Sequence, residues 1–361
     1  MYNNDDDNGA VFSRPDDRGV RYYRSENDGG VQENKKKKNR SLRNSLIVLC
    51  CIIAALAVLG ASCNSMLQTG EAQTKLPNKS YIATIFVEGS ISRGNYDTWG
   101  SPAGYQHQWT LNEIDRLMYD YNNEGLIIFV DSPGGGIYES DELYLKIKEY
   151  RTVTGKPVYA SMASRGASGA YYISAAADKI FANRNCLTGS IGVTLGTFID
   201  VSGFLENYGI RTTTIDSGSN KSMGNYFDPL STEQVRIFQS IIDEAYGQFT
   251  EIVAEERGLT IEETRRIADG RIYTARQALE VGLIDEIGNY PDAVFDMQWE
   301  YDLFGCEIFE IKYTYRSWVS NLLGSLNPAY PSMRGDAAVV LELLRNRSPF
   351  PVSYLCETLA N

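Results

Sequence analysis

The sequence predicts an α/β domain of alternating strands and helices, carried behind one membrane-spanning helix. Three observations predict it. An uncharged apolar run, 46–61, follows a block of lysines near the N-terminus. From Tyr81 onward, short β-branched runs alternate with stretches whose apolar residues recur at helical spacing. One of those runs, Gly125-Leu-Ile-Ile-Phe-Val130, is apolar throughout, as expected of a strand covered by helices on both faces.

Composition bounds the function before any motif does. The 361 residues are 43% hydrophobic and 22% charged, enough for a sizeable core. A net charge of -12 argues against a nucleic-acid partner, which favours a basic domain. Six cysteines include no Cys-x-x-Cys pair, and there is one histidine, so a zinc site is not expected. No metal or organic cofactor is implied. A single bridge such as Cys306 to Cys356 and buried free thiols both remain open.

Residues 1–44 are polar and irregular, with Asn3-Asn-Asp-Asp-Asp7 and Lys35-Lys-Lys-Lys38. Such a stretch buries too little apolar surface to offset its ordering entropy, so a disordered tail is expected. With Ser45, Ser62 and Cys63 counted, the apolar run becomes a span of 45–63. That meets the lower limit for crossing a bilayer, about 17 residues. A buried core helix and a cleaved signal peptide are the alternatives; the second has far too long a polar region before it. Leu59-Gly-Ala-Ser-Cys63 approaches a lipoprotein cleavage site, but its leucine stands one place too far from the cysteine. The basic cluster Lys35 to Lys38, Arg40 and Arg43 precedes the span, so the N-terminus is expected in the cytoplasm and the rest outside it. Residues 64–79 read as a linker.

The domain is expected over 80–296. A first strand, 81–88, ends at Gly89, and Leu111, Ile114, Leu117 and Met118 mark a helix over 111–121. The buried strand 125–130 follows, then a helix over 140–150 with Leu143, Leu145 and Ile147. Strands are expected at 157–160 and 179–182, with a further short one at 190–194, and a helix over 170–177. Ser231-Thr-Glu-Gln234 fits a capping box ahead of a long apolar stripe from Val235 to Val253, with Gly258 as its stop. Thr260-Ile-Glu-Glu263 opens a second helix, and 273–281 supplies a third. Residues 297–361 turn aromatic and irregular and are set apart as a C-terminal extension.

Two segments carry chemistry. In Arg165-Gly-Ala-Ser-Gly-Ala-Tyr-Tyr172, Ser168 stands among the smallest side chains, so a substrate backbone can reach its hydroxyl. The segment nearly fits Gly-x-Ser-x-Gly, failing at Ala170. The alternative is that Ser168 merely caps the helix after it. In Asp131-Ser-Pro-Gly-Gly-Gly136, bare glycines follow a buried strand. Their N–H groups can hold a developing oxyanion, worth about 2.7–4 kcal/mol per donor. A simple tight turn is the alternative, and a phosphate loop lacks its Gly-Lys-Ser/Thr ending. His107, the one histidine, lies in a polar segment expected to be exposed. That disfavours a Ser-His-Asp triad and leaves lysine as base, which requires a pKa brought down from about 10.4 by burial. Spacing alone does not choose among Lys156, Lys179 and Lys221.

Several further segments stand in order: Ala177-Asp-Lys-Ile-Phe-Ala182, Thr188-Gly-Ser-Ile-Gly-Val193, Ala268-Asp-Gly-Arg-Ile-Tyr273 and Gly282-Leu-Ile-Asp-Glu-Ile-Gly288. With the two above, they make the stretch 81–296 resemble the signal peptide peptidase A family of membrane-bound bacterial serine proteases. The resemblance implies a crotonase-like or Clp protease-like α/β fold and a ring of subunits. It implies Ser168 as nucleophile, Lys221 as general base and Ser190 as the hydroxyl that orients the lysine. It implies an oxyanion hole from the loop amides, Gly135 first and Gly136 beside it, and from Gly169. Substrates would be cleaved signal peptides and other short or unfolded hydrophobic segments, with membrane lipid around 45–63 and serine and lysine coming from neighbouring subunits. Ser222-Met-Gly-Asn225 departs from the residues expected after the lysine. Two other classes compete: acyl-CoA chemistry on the same fold, and a non-catalytic membrane scaffold.

Overall fold

The computed structural model describes residues 74–94, 104–313 and 353–355, all within the unit 70–361. The expected tail 1–44, the membrane helix 45–63 and most of the linker 64–79 lie outside the described residues. Among the described residues no helix is long and apolar enough to cross a membrane.

The strands are β1 (Tyr81–Glu88), β2 (Asn123–Ser132), β3 (Gly134–Gly136), β4 (Val158–Ala167), β5 (Lys179–Ala182), β6 (Leu187–Gly189), β7 (Ile272–Thr274), β8 (Glu286–Ile287), β9 (Glu307–Ile311) and β10 (Ser353–Leu355). The helices are α1 (His107–Met118), α2 (Ile137–Thr154), α3 (Gly169–Ser174), α4 (Ser202–Asn207), α5 (Thr232–Arg257), α6 (Ile261–Ile267), α7 (Ala275–Glu280) and α8 (Tyr290–Glu300). The main sheet runs β7-β6-β4-β2-β1-β9, with β5 beside β4 and β8 beside β5. Only the β6–β7 pairing in it is antiparallel. β4 serves two neighbours in turn. Its first half pairs with β5, from Tyr159↔Lys179 to Met162↔Ala182, and its end pairs with β6, from Arg165↔Leu187 to Ala167↔Gly189.

Alternation along the strands builds two cores. Ala83, Ile85, Ile128, Val130, Ala160 and Met162 face one, with Leu117 of α1, Ile147 of α2 and Phe249 of α5. Ile82, Ile127, Tyr159 and Phe181 face the other, closed by Ala293 and Met297 of α8. The apolar run in β2 is therefore buried on both faces, as its composition requires.

Local chemistry sets the helix ends. Gly155 ends α2 with φ 64 and Gly258 ends α5 with φ 64. Capping boxes open α5 at Ser231 and α6 at Thr260, each satisfying two otherwise orphaned backbone groups.

Several expectations are corrected. The short strand expected at 190–194 is instead β6, which ends at Gly189 because Gly189 (φ 76) and Ser190 (φ 50) leave the extended region. The third helix expected over 273–281 starts later: 272–274 is a strand, and Thr274 caps α7 through Gln277. The boundary expected at 296/297 falls inside α8, and β9 beyond it joins the main sheet beside β1. Its Glu307-Ile-Phe-Glu-Ile311 carries two charges in a short apolar run, as suits a strand at the sheet edge, and stands hidden among aromatic residues. His107 is buried rather than exposed: its ring is hydrogen-bonded to the Tyr105 hydroxyl at 2.7 Å and to Glu142 at 2.8 Å. Cys186 and Cys306 are free thiols, and Cys356 lies outside the described residues.

Candidate active site

The two parallel strands β4 and β6 end side by side, and a serine follows each. Ser168 has φ 58 and ψ -121, and Ser190 has φ 50. Ser168 N–H donates to the Gly189 carbonyl at 2.7 Å, and Ser190 N–H donates to the Arg271 carbonyl at 2.8 Å. Positive φ costs a non-glycine residue about 1–3 kcal/mol, so the sheet holds both turns against their local preference. The Ser168 carbonyl accepts from Tyr172 N–H at 2.9 Å and opens α3. Its side chain makes no capping hydrogen bond, so the cap alternative does not describe this hydroxyl.

Ser168 and Ser190 line one cleft of about 440 Å³ with Thr194, Asp243, Tyr246 and Asp269 among its other walls. None of the described residues lining it is a lysine, arginine or histidine. Asp269 is held by Arg271 at 2.5 Å, and that guanidinium brings its carboxyl down to about 2.

The glycine loop approaches from the other side. Gly135 bridges to Ile91, and Ile91 N–H donates to Gly134 at 2.9 Å while Gly136 N–H donates to Ile91 at 2.8 Å. The Gly136 amide is thus spent on the fold, whereas strand alternation turns the Gly135 N–H and carbonyl to the opposite edge. Side chains have no room here. A Cβ on Gly135 would collide with the Ile91 carbonyl, and one on Gly134 would lie 2.7 Å from Gly169 N. Gly134 also has φ 98. Gly135 and Gly169, two of the three expected oxyanion donors, therefore adjoin each other next to Ser168. Asp131, at the head of the motif, is structural: it accepts from the Ser164 hydroxyl at 2.6 Å and from Arg165 N–H at 3.1 Å, tying β2 to β4.

The lysines separate. Lys179 bonds Asp296 at 2.8 Å and Glu286 at 3.1 Å; burial opposes its charge, but those carboxylates outweigh it and raise its pKa. Lys156 donates to the Asp120 carbonyl at 3.2 Å, and burial lowers its pKa, but it does not line the cleft. Lys221 is exposed in the loop before α5 and is not part of the cleft wall either. Within one chain, then, Ser168, Ser190, Gly135 and Gly169 come together and Lys221 does not join them.

Sequence reasoning missed an aromatic pocket beside the loop. Tyr172 packs on Phe249 at 5.0 Å and on Tyr144 at 5.4 Å between ring centroids. The Tyr172 hydroxyl donates to Asp141 at 2.6 Å and accepts from Gln248 at 2.7 Å. Tyr354 of β10 fills the pocket, stacked on Tyr172 at 5.0 Å and 26°. Ser140, in the first turns of α2, was also missed. Its hydroxyl is buried and unpartnered, and it occupies the space where a Cβ on Gly169 would go. Tyr172 stood in the quoted serine motif and Phe249 in the stripe of α5, but only folding joins them to residue 354.

Comparison with known proteins bears on the family of the chain. The model of Peptidase family S49 matches residues 151–303. The chain is 35% identical over 244 residues to a candidate signal peptide peptidase SppA of Enterococcus faecium, covering 68% of this chain and 70% of that one. It is 39% identical over 233 residues to a candidate protease of Synechocystis, covering 64% and 78%. Among solved structures, a ClpP1 mutant from Listeria monocytogenes covers 58% of this chain at a TM-score of 0.37 and 16% identity.

Proposed function

Since the chain belongs to peptidase family S49, we propose that it is a serine endopeptidase working through an acyl-enzyme at Ser168. One observation carries the residue assignment. Ser168 is held at φ 58 with no capping bond, in a cleft beside amides of glycines that admit no side chain. Strain of this kind persists only where the surrounding structure over-determines it, and it concentrates at reacting groups.

In the proposed reaction, Ser168 Oγ attacks the scissile carbonyl while a neutral lysine takes its proton. The Gly135 and Gly169 N–H groups stabilise the oxyanion, the amine leaves with the proton, and water releases the acyl group. Lys221 is the proposed base and Ser190 its orienting partner. The described walls of the cleft supply no lysine, and Lys221 is exposed, so the lysine is proposed to come from a neighbouring subunit of a Clp-like ring. Substrates are proposed to be cleaved signal peptides and other unfolded hydrophobic segments. The segment 45–63 would anchor the enzyme with its catalytic domain outside the cytoplasm.

The exposure of Lys221 also favours a second reading, a non-catalytic scaffold. Labelling with a fluorophosphonate, followed by mapping of the modified residue, separates the two. Modification at Ser168 is expected; a protein that cleaves peptides while labelled at another serine, or that never labels, overturns the assignment.

A further inference from the structure

We propose that the end of the domain opposite the catalytic cleft rests on the bilayer surface, with Tyr119, Tyr121, Trp299 and Phe304 seated among the lipid headgroups. The inference rests on the anchored reading of 45–63 and not on the chemistry at Ser168.

The sheet sorts the two ends. β1, β2, β4 and β9 are parallel, so their first residues share one edge. Ser168 follows the last residue of β4, at the other edge, and the ten residues of β4 separate the two by about 30 Å. Three bonds gather the loops at the first edge. The Ser80 carbonyl accepts from Glu307 N–H at 3.0 Å, the Ser80 hydroxyl donates to Glu124 at 3.2 Å, and Lys156 donates to the Asp120 carbonyl at 3.2 Å. Because β1 runs between β2 and β9, the chain enters the sheet between the turn before β2 and the turn before β9.

Those turns hold aromatic rings in water. Tyr121 is 98% exposed and Trp299, in the last turn of α8, is 71% exposed; Tyr119 and Phe304 are exposed as well. Phe295, one helical turn before Trp299, joins them. The Phe295, Trp299 and Phe304 ring centroids lie 6.0 to 6.3 Å apart, so the cluster is formed before it meets a partner. Ala293 and Met297 of α8 face the core, which leaves the Phe295 and Trp299 stripe uncovered within the chain. Trp and Tyr concentrate at membrane interfaces, where the ring meets lipid and its N–H or O–H stays hydrated.

The tether selects lipid as the occupant. The Thr74 carbonyl accepts from Arg116, in the last turn of α1, at 2.9 Å, so the chain has reached this edge by residue 74. Residues 64–73 extend at most about 35 Å from the end of the expected span. A surface held that close is met as an intramolecular partner, at an effective concentration of order millimolar, so weak insertion of a few rings suffices. Glu300, Asp302 and Glu307 are exposed near the rings, against Lys75 and Lys79 on the entering chain. Charge therefore gives no net attraction to anionic lipid, and the contact is one of rings with the interface.

The test reads tryptophan emission of the full chain in phosphatidylcholine vesicles, with and without lipid brominated on its acyl chains close to the glycerol. The parent is compared with Trp299→Leu and with a chain carrying Tyr119→Ser, Tyr121→Ser and Phe304→Ser. Trp299→Leu removes an exposed reporter, so its readout does not depend on refolding. The emission lost in Trp299→Leu is expected to be quenched about twofold or more by brominated lipid in the parent, and about half as strongly in the triple variant. A chain that resists alkaline extraction from the vesicles, yet leaves Trp299 unquenched, overturns the contact while the anchored reading survives. Trp299 emission that shifts to the blue as protein-to-lipid ratio rises, without quenching, assigns the rings to a second copy and also overturns it. Quenching in a chain that alkali strips from the vesicles upholds the contact and overturns the span. A chain that does not float with the vesicles overturns both.

Discussion

Ser168 and Ser190 are the residues immediately beyond Ala167 and Gly189, which are register partners on two parallel strands, and both serines take positive φ. Their juxtaposition is a property of the sheet. The same Gly189 that pairs with Ala167 accepts the Ser168 N–H, so displacing β6 displaces both hydroxyls.

The strain at Ser168 separates stability from activity. Ser168→Gly is expected to raise stability by about 1 kcal/mol, because glycine adopts this backbone without penalty, while abolishing peptide cleavage. Thermal denaturation and a peptide assay on the same preparation check it. A destabilised variant would mean that the turn is not strained.

The glycine loop makes a second prediction. Gly135→Ala drives a Cβ into the Ile91 carbonyl. It is expected to cost about 1–3 kcal/mol of stability and at least tenfold in kcat. Urea denaturation and steady-state kinetics measure the two effects separately, and a variant of normal activity would remove Gly135 from the oxyanion site.

Sharing of the site is tested by mixing. Chains carrying Ser168→Ala and chains carrying Lys221→Ala are each expected to be inactive, and co-assembled they are expected to regain part of the parent rate. If the mixture stays as inactive as its components, the base is not supplied by Lys221 of another subunit.

Glu256 predicts a pH dependence of stability. Burial would raise its pKa, but hydrogen bonds from Tyr144, Lys148 and Arg151 outweigh burial and hold it below 4.5, the ordinary value. A depressed folded-state pKa stabilises the fold above the unfolded value, and that contribution disappears as pH falls through the folded one. The parent is therefore expected to lose stability from about pH 5 downward. Glu256→Gln should lose about 1–3 kcal/mol near neutrality and flatten that dependence. Parallel slopes of melting temperature against pH for the two proteins would show that Glu256 does not tie α2 to α5.

The alternation of strand and helix was legible because it is local. β1 and β5 run over the residues expected of them, and Ser231 and Thr260 announce their helices through side chains three residues away. The serine motif and the glycine loop were legible for the same reason, since small side chains and missing side chains are visible in a string of letters.

What the letters alone determined was therefore the class of fold, the place of its first strands and best-capped helices, and the family. Tertiary structure decided the rest. It placed β9, over 307–311, in the main sheet, because an edge strand takes its meaning from the neighbour it pairs with. It withdrew Lys179 by pairing it with Asp296, and it spent the Gly136 amide on Ile91. It also brought Tyr354 against Tyr172 and Gly135, residues far apart in sequence. Hydrogen bonding and aromatic packing act over a few ångströms of space, and no local periodicity records which distant residues will share them.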